Sequence, residues 1–495
     1  MDRLIESSRH PREGDLRPTR GDGRGTAGGR SSAPPGASGH CDKNPASDKV
    51  PHARRPRLFT IRRPVRSFDD VFPPRVPAGS PIRRGIFYTV RSGAEPLEID
   101  RPKGASLKVL VLNSGSSSIK YRLFGMKSME VLRSGVVERI GEPGPSTLRD
   151  HPEGFAHVMA DLSDSGAVRD AADLFGVGHR VVHGGERFRE PARVDAGVLE
   201  AIREMIPFAP LHNPGNLQGI EVALAACPGV PQVAVFDTAF HQSMPPRAFR
   251  YALPRELYDV HRVRRYGFHG TSHAHVARRA AELLGKPPET LNLITLHLGN
   301  GASAAAIREG KSIDTSMGMT PLEGLMMGTR CGDLDPSVPF FLGAETGKDP
   351  AELLEMLNEE SGLKGICGAN DMREVHRLAA AGDPAASLAV DMYSYRIRKY
   401  IGAYAAVLGR VDALVFTGGI GENDAEVRRR ACDGLSLLGI AVDEAGNGSP
   451  SRESREIQKE GMPVKVLVIP TNEELEIALQ TVACIGKIVG PEEPR

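Results

Sequence analysis

Short apolar runs recur along the chain from residue 108 onwards, and glycine-rich or polar turns separate them. The first of these runs reads KVLVL and is followed by the turn NSGSS. Apolar runs of roughly four to eight residues between turn residues are typical of buried strands. The pattern therefore predicts strands at 108–112, 118–124, 177–182, 233–236, 293–298, 413–416 and 464–469.

Longer segments with helical spacing lie between these runs, at 274–284, 386–407 and 473–485. Alternating strands and helices over this length indicate an α/β fold in which helices cover sheets. The apolar run followed by GNG at 293–301 also repeats the apolar run followed by NSG at 109–115. We therefore expect a duplicated fold, with one phosphate-facing hairpin in each half.

Residues 1–105 have a different composition, rich in Pro, Gly, Ser and Arg. Such a segment buries too little apolar surface to offset the entropy of ordering, so we expect it to be disordered. Three explanations compete: upstream sequence misread as protein, with the true start near Leu107; a genuine disordered tail; or an arginine-rich transit peptide. Acidic residues such as Asp2, Glu6 and Glu13 weigh against the transit peptide.

Charge is unevenly distributed, because residues 1–106 hold 21 basic and 12 acidic residues and the rest holds 42 basic and 50 acidic residues. The mildly acidic body lacks the basic stripe of a nucleic-acid-binding protein, so we expect no nucleic-acid partner. No apolar run approaches the roughly 20 residues of a membrane span, and no signal peptide is recognisable. The six cysteines are far apart and form no CxxC pair. These features predict a cytoplasmic protein with reduced thiols and no membrane partner.

Three glycine-rich segments follow predicted strands: NSGSSSIK at 113–120, LGNGAS at 298–303 and FTGGIGEN at 416–423. Small residues after a strand let backbone N–H groups approach an anion, and the third segment suits a turn against a base or ribose. Each segment alone is also typical of an ordinary turn. The chain has no GxxxxGK[ST] motif, which disfavours a P-loop. In this order the segments resemble the two phosphate hairpins and the adenosine motif of the sugar-kinase, heat-shock-protein and actin superfamily.

Two arginines lie in unusual surroundings. Arg180 (GHRVVHGG) lies within a buried-looking strand, where a guanidinium is costly unless an anion meets it, and Arg330 (GTRCGD) lies in a glycine-rich loop. Together they could hold a carboxylate and a phosphoryl group bidentately. The structural alternatives are an Arg180 paired with a carboxylate and a solvated Arg330.

Two histidines and two acids complete the candidate chemistry. His269 lies in RYGFHGTSH and His212 in PLHNP, although either could be a packed structural histidine. Asp237 follows a predicted strand, and Glu473 starts a predicted helix. Such carboxylates suit Mg²⁺, although an acid in the first turn of a helix also offsets the helix dipole.

Taken together, the segments resemble the acetokinase family over residues 108 to about 487. The most specific of them are NSGSSSIKY, GHRVVHGG, PLHNPGN, VFDTAFHQSMP, RYGFHGTSHAHV, HLGNGAS, DTSMGMTPLEGLMMGTRCGDLDP, FTGGIGEN and IPTNEELEIA. The resemblance implies reversible transfer of the γ-phosphoryl group of ATP to acetate, giving acetyl phosphate and ADP. It also implies a homodimer that uses Mg²⁺, with Mn²⁺ as an alternative.

The resemblance assigns roles position by position. Catalytic roles fall to Arg180, Arg330, His269, Asp237 and His212. The pocket around the acetate methyl group is assigned to Val182, Leu211, Phe268 and Pro321, with Arg180 on the carboxylate. The nucleotide-binding positions are Asn113, Ser116, Ser118, Lys120, His297, Asn300, Gly301, Asp371, Met372, Arg373, Gly419, Ile420, Gly421 and Asn423. Asn113 and Glu473 are the implied metal positions, with Asp237 nearby.

One departure touches this set, since Met372 stands where the family more often has Phe. The resemblance also implies two duplicated domains of the ribonuclease-H-like, actin-type ATPase fold with the active site in the cleft between them. We expect the first domain at 106–237 plus 470–490 and the second, which binds nucleotide and dimerises, at 238–469.

A carboxylate substrate is already ionised near pH 7, so direct in-line attack on the γ-phosphorus needs no general base. Three alternatives stay open. The chain could be a propionate or butyrate kinase of the same family, or an inactive ATP-binding regulator. A sugar kinase fits less well, because it needs a carboxylate base for a hydroxyl and has no use for two arginines.

Overall fold

The computed structural model describes residues 107–142 and 148–486. Contacts divide the chain into two units, Met1–Ser80 and Pro81–Arg495, and every described residue belongs to the second. The predicted disorder of residues 1–105 lies outside the described residues.

The first half of the described chain forms a mixed sheet around two parallel pairs. Its strands run β3-β2-β1-β4-β6-β5, with β1, β4 and β6 parallel and the outer neighbours antiparallel. Their bounds are Lys108–Ser114 (β1), Ser118–Gly125 (β2), Glu130–Glu138 (β3), Leu174–Val181 (β4), Ala192–Arg193 (β5) and Gln232–Phe236 (β6).

The second half builds a sheet with the same arrangement. Its order is β9-β8-β7-β10-β12-β11, again with three parallel central strands and antiparallel neighbours. The bounds are Asn292–Leu298 (β7), Ala302–Arg308 (β8), Lys311–Thr315 (β9), Ala413–Thr417 (β10), Arg455–Glu456 (β11) and Lys465–Val468 (β12). Strand order and direction match position by position, so the predicted duplicated ribonuclease-H-like fold is confirmed.

Helices pack on both sheets. Their bounds are His151–Asp164 (α1), Ala196–Glu204 (α2), Asn213–Ala226 (α3), Pro246–Phe249 (α4), Arg255–Asp259 (α5), Gly270–Leu284 (α6), Ser337–Thr346 (α7), Pro350–Glu359 (α8), Gly362–Cys367 (α9), Met372–Ala380 (α10), Pro384–Leu408 (α11), Gly418–Asn423 (α12), Ala425–Cys432 (α13), Glu444–Gly448 (α14) and Glu473–Gly486 (α15). Short 3₁₀ turns lie at Ala171–Asp173, Ile206–Phe208, Ala239–Ser243, Pro288–Thr290 and Ser436–Leu438. In the described part of the chain, no helix combines the length and apolar character needed to cross a membrane.

The longest helix, α11, shows why the sequence folds as it does. Asp383 caps its start by accepting hydrogen bonds from the N–H groups of Ala385 and Ala386, and Pro384 occupies the first turn, where no N–H is needed. Residues that recur every three or four positions then form one buried face, which includes Ala386, Val390, Tyr393, Ile397, Ile401, Tyr404 and Leu408. This face joins the core that covers the second sheet.

The last helix, α15, returns to the first sheet although it follows the second sheet in sequence. Its residues Ile477, Val482 and Ile485 share a core with β1 and β6. A Cβ atom added at Gly178 of β4 would lie 2.3 Å from Thr481 Oγ1, so a glycine is required for this close approach.

All seven predicted strands and all three predicted helices are present, with ends that differ by a few residues. One local prediction was wrong: the segment 418–423, expected to be a turn, forms the short helix α12. Gly418, the first residue of α12, has a φ of +78°. Because glycine adopts a positive φ without strain, Gly418 alone changes the chain direction between β10 and the rest of α12.

Candidate active site

Arg180 and Asp237 lie side by side at the ends of two parallel strands. β4 pairs with β6 so that Val181 is opposite Phe236, which puts Arg180 in β4 next to Asp237, the residue after β6. Arg180 Nη2 donates to Asp237 Oδ2 at 2.7 Å, and Nε donates to the same carboxylate at 3.1 and 3.2 Å. Glu473 lies 3.8 Å from Arg180 Nη2.

These charges raise the pKa of Arg180. Burial by itself lowers the pKa of the Arg180 guanidinium, but the carboxylates of Asp237 and Glu473 outweigh it and raise the pKa above its ordinary value. Asp237 is in turn held by Thr271 Oγ1, which donates to it at 3.2 Å, and by its own N–H, which donates to Val181 O at 2.9 Å. Arg180 is therefore a permanent cation in a fixed orientation.

Arg330 differs from Arg180 because it has no carboxylate partner among the described residues. Its Nη1 donates to the carbonyl oxygen of Pro321 at 3.2 Å. Burial lowers the pKa of this guanidinium, yet arginine still stays protonated near neutral pH. A half-buried cation without a counter-ion is suited to an anionic ligand.

His269 precedes α6 in the left-handed conformation, with a φ of +55°. A non-glycine residue there is uncommon and is held by its surroundings. Its Nδ1 lies 2.9 Å from Ser303 Oγ, which is 2.8 Å from His273 Nε2, and His273 Nδ1 is 2.7 Å from Thr295 Oγ1. We call this chain of hydrogen bonds, Thr295–His273–Ser303–His269, the histidine relay.

The His269 ring is neutral in this environment. Burial and the charges of His297 and Arg180 hold its pKa well below the ordinary value of 6.5. A Cβ atom added at Gly301 would lie 3.5 Å from both His269 Nε2 and Arg330 Nη1. These two atoms therefore border the same space, which a larger residue at 301 would fill.

His212, Leu211 and Pro321 line a cavity of about 780 Å³ together with Arg330. Both halves of the chain contribute to this cavity, since Ser116 and His212 come from the first and Pro321 and Arg330 from the second. Burial, followed by the charges of Arg330 and Arg180, lowers the pKa of His212.

The other two predicted pocket residues are more enclosed. Phe268 is buried in the core of the second half, and Val182 packs against that core. The Val182 N–H donates to Asn216 Oδ1 at 3.0 Å. The structure thus brings Leu211 and Pro321 to one cavity, and Val182 and Phe268 to one core.

The two predicted phosphate hairpins occupy equivalent places in the two sheets. In the first hairpin Asn113 is opposite Lys120, and Gly115 N–H donates to Ser118 O at 2.8 Å. In the second, Gly299 N–H donates to Gly301 O at 3.0 Å, and Asn300 O accepts from Gly328 N–H at 3.0 Å. Ser116, Lys120 and Asn300 are exposed.

The predicted nucleoside-binding residues come from two helix starts. α12 carries Gly419, Ile420, Gly421 and Asn423, and a Cβ atom at Gly418 would lie 2.7 Å from Leu298 O, so α12 starts against the end of β7. At the start of α10, Asp371 accepts a hydrogen bond from Arg373 N–H and pairs with the exposed Arg373 guanidinium. Met372 between them is buried in the core.

Glu473 lies at the start of α15 with His297 and Arg180 around it. His297 Nδ1 is 3.9 Å from Glu473 Oε1 and 2.8 Å from Ser272 Oγ. The described residues contain no group of three or more His, Cys, Asp or Glu side chains arranged for a metal. Mg²⁺ commonly binds one or two carboxylates together with substrate phosphates and water, so Glu473 and Asp237 fit an ion that arrives with a nucleotide.

Sequence reasoning missed Ser303, His273 and Thr271, which hold the predicted residues in place. All three lie inside the quoted motifs HLGNGAS and RYGFHGTSHAHV. Their motif positions were visible, but their hydrogen-bond partners depend on how α6 packs against β7 and β8.

Two equivalent ribonuclease-H-like halves share this site, which combines two arginines, a neutral histidine, carboxylates and glycine-rich hairpins. This fold and this set of side chains are typical of a nucleotide-dependent phosphotransferase. The sequence profile of the acetokinase family matches residues 108–479, and the chain belongs to this family.

Individual relatives are similar over nearly their whole length. An acetate kinase from Syntrophobacter fumaroxidans is 56% identical over 401 residues, which cover 77% of this chain and 98% of the relative. The crystal structure of an acetate kinase from Porphyromonas gingivalis has a TM-score of 0.74 and 44% identity, and covers 77% of this chain and 100% of that one. A crystal structure of a propionate kinase from Francisella tularensis has a TM-score of 0.71 and 42% identity, and the match covers 76% of this chain and 98% of that one.

Proposed function

We propose that this chain reversibly transfers the γ-phosphoryl group of ATP to acetate and so forms acetyl phosphate and ADP. The observation that carries the proposal is the Arg330 guanidinium, which has no carboxylate partner among the described residues and borders the same space as His269 Nε2. Membership of the acetokinase family and the named relatives support acetate as the acceptor.

Phosphoryl transfer demands alignment and charge compensation more than covalent chemistry. The acetate carboxylate is ionised near neutral pH, so it can attack the γ-phosphorus in line without a general base. Arg330 would bind the carboxylate and the equatorial phosphoryl oxygens. Arg180, held by Asp237, would bind the carboxylate and the same phosphoryl oxygens from the first half of the chain. His212 would lie beside the two arginines.

The histidine relay can supply a further donor. Two directions of hydrogen bonding satisfy all its members, because each hydroxyl and neutral ring has one donor and one acceptor. In one direction Thr295 donates to His273, His273 to Ser303 and Ser303 to His269 Nδ1. His269 Nε2–H is then the free donor, directed at the transferring group.

The remaining predicted positions bind nucleotide and metal in this proposal. The nucleoside would contact the starts of α10 and α12. The phosphates would contact the two hairpins and the end of β7, at Asn113, Ser116, Ser118, Lys120, His297, Asn300 and Gly301. Asn113 and Glu473, with Asp237 nearby, would hold Mg²⁺, with Mn²⁺ as an alternative ion. When bound, the ion neutralises phosphate charge.

We further propose that the protein is organised in two domains. Residues 106–237 with 470–490 form one domain and residues 238–469 form the other, which is supported by the separate sheets and by the packing of α15 on the first sheet. We place the active site in the cleft between them, in a homodimer in the cytoplasm. The wide spacing of the cysteines and the acidic balance of residues 107–495 support this compartment.

The reverse reaction tests this function. Purified protein with acetyl phosphate and Mg-ADP should form ATP, detected by luciferase, and Arg330→Ala should lose most of that activity. A protein that binds ADP but forms no ATP would be the inactive regulator.

Propionate kinase is the second candidate, because the propionate kinase structure is nearly as similar to this chain as the acetate kinase structure. ATP formation from propionyl phosphate at a higher rate would favour it.

A further inference from the structure

Glu422 joins two segments that are distant in sequence. Its Oε1 accepts one hydrogen bond from Gly418 N–H at 2.9 Å and another from Thr471 N–H at 3.0 Å. No basic side chain pairs with Glu422 among the described residues. The carboxylate therefore serves as an acceptor for two backbone amides, one in each segment.

The first of these amides belongs to the predicted nucleoside-binding segment. Gly418 starts α12 with a positive φ, and it lies so close to Leu298 that an added Cβ atom would be 2.7 Å from Leu298 O. At the other end of α12, Arg428 donates to the carbonyl oxygens of Gly421 and Glu422. Arg428 thus holds the end of α12, and the Glu422 carboxylate holds its start by accepting a hydrogen bond from Gly418 N–H.

The second amide belongs to the segment that leads to Glu473. Thr471 precedes Glu473 by two residues, and its Oγ1 lies 2.8 Å from Ser272 Oγ. Ser272 Oγ is in turn 2.8 Å from His297 Nδ1. A single carboxylate oxygen is thus connected to α12 on one side and to His297 and the start of α15 on the other.

We propose that Glu422 is a positioning residue that holds the nucleoside-binding segment of α12 in register with Glu473 and His297. One ATP molecule would contact α12 through its nucleoside and the segment around Glu473 and His297 through its phosphates. These two segments must therefore keep a fixed distance, and Glu422 sets that distance. This inference rests on the proposed function, and it assigns Glu422 no contact with the substrate.

The two substitutions at this position separate hydrogen bonding from charge. Glu422→Ala removes the acceptor for both amides, whereas Glu422→Gln keeps a carbonyl oxygen in nearly the same place and removes only the charge. Glu426→Ala is the matched control. Glu426 lies four residues on and pairs with Arg429 and Arg430 on the surface of α13.

We expect Glu422→Ala to raise KM for Mg-ATP and to lower kcat, each by about tenfold, because two hydrogen bonds to a charged group are lost. KM for acetate should change less than about twofold, since Leu211 and Pro321 are not joined to Glu422. Glu422→Gln should recover most of the activity, and Glu426→Ala should behave as wild type. The melting temperature is measured for every variant.

Three outcomes would overturn the inference: unchanged kinetics in Glu422→Ala, equal loss in both variants, or a parallel rise in both KM values with a lower melting temperature. The second outcome would indicate that the charge itself acts. Wild-type protein without acetate-dependent turnover would instead refute the proposed function.

Discussion

The guanidinium of Arg180 and the carboxylate of Asp237 face each other at the ends of β4 and β6, with 2.7 Å between Nη2 and Oδ2. The Asp237 side chain is 2% exposed, so this pair is shielded from water on the carboxylate side. Arg330 has no such partner among the described residues. The site therefore combines one arginine in a fixed orientation with a second that is available to an anion.

Asp237→Asn should lower kcat by about 10²-fold, because the amide no longer offers two acceptor oxygens and a negative charge to Arg180. ATP affinity should fall less than about threefold, because the proposed nucleoside contacts at the starts of α10 and α12 are unchanged and Asn113 and Glu473 remain near the metal. Steady-state kinetics and calorimetric ATP titration in parallel measure the two effects. A variant with near-normal kcat would show that the orientation of Arg180 is unimportant.

Arg330→Ala should lower kcat by about 10²–10³-fold, which is typical for the loss of one donor to a transition-state oxygen. ATP binding should be nearly unchanged, because Arg330 is assigned to the transferring group. Arg377→Ala is the control, since Arg377 lies on the exposed side of α10 and pairs with Glu374. If the two variants had similar kcat values, Arg330 would have no part in the mechanism.

Buried neutral histidines should make the protein less stable in mild acid. Burial lowers the pKa of His179 and of His241 to about 4, and it holds the pKa of His269 and His273 well below 6.5. In the unfolded chain these rings take up protons near pH 6.5, whereas in the folded protein they stay neutral. The unfolded state therefore binds more protons, and the free energy of unfolding falls as the pH drops from about 6.5 towards 4.

Urea unfolding at pH 7.5, 6.5 and 5.5 measures this trend. The expected result is a midpoint that decreases at each step, with the larger decrease between pH 6.5 and 5.5. An unchanged midpoint would mean that these rings are protonated in the folded protein. His269 would then face the transferring group as a cation.

Glu476 links α15 to α6, although α15 packs on the first sheet. It is 3.0 Å from Arg278 and 3.5 Å from His275, and its side chain is 9% exposed. Burial by itself raises the pKa of Glu476, but the hydrogen bond from His275 and the charge of Arg278 outweigh it and lower the pKa to about 2. Its stabilising effect is therefore present above about pH 4.5 and is lost as the pH falls towards 2.

Glu476→Gln should reduce the free energy of unfolding at pH 7 by about 1–3 kcal/mol, because Arg278 and His275 lose the charge of their buried partner while Arg278 keeps Glu282. Glu474→Gln is the control, since Glu474 pairs with Arg122 at the surface and should contribute less than about 1 kcal/mol. Urea titration of both variants gives the comparison. Equal losses would remove the special role of the buried pair.

The sequence was most informative where one segment determines its own structure. The run KVLVL and the polar turn after it are sufficient to predict β1 and its hairpin, and β4 and β6 follow from similar runs. For Arg180, the structural alternative considered from the sequence is observed, because the side chain pairs with Asp237. Adjacent strand ends brought these two residues together. The role of Arg180 in binding the substrate stays a prediction.

Contacts between distant segments were beyond the sequence patterns. The Glu422–Thr471 hydrogen bond joins residues 49 positions apart, and the His273–Ser303 bond joins residues 30 positions apart. Neither pair has a spacing that marks it, because the contact depends on how helices and sheets pack. The same holds for α12, whose glycines favour a turn locally but form a helix against β7.

Acid-dependent formation of acyl phosphate tests the central claim most directly. Purified protein is given Mg-ATP with acetate, propionate or butyrate, and hydroxylamine traps the product as a hydroxamate. One extra methylene in an apolar pocket is worth only about 1–3 kcal/mol, so we predict strong turnover with acetate, less with propionate and little with butyrate. Absence of hydroxamate with all three acids, despite measurable ATP binding, would contradict the assignment of a carboxyl-directed phosphotransferase.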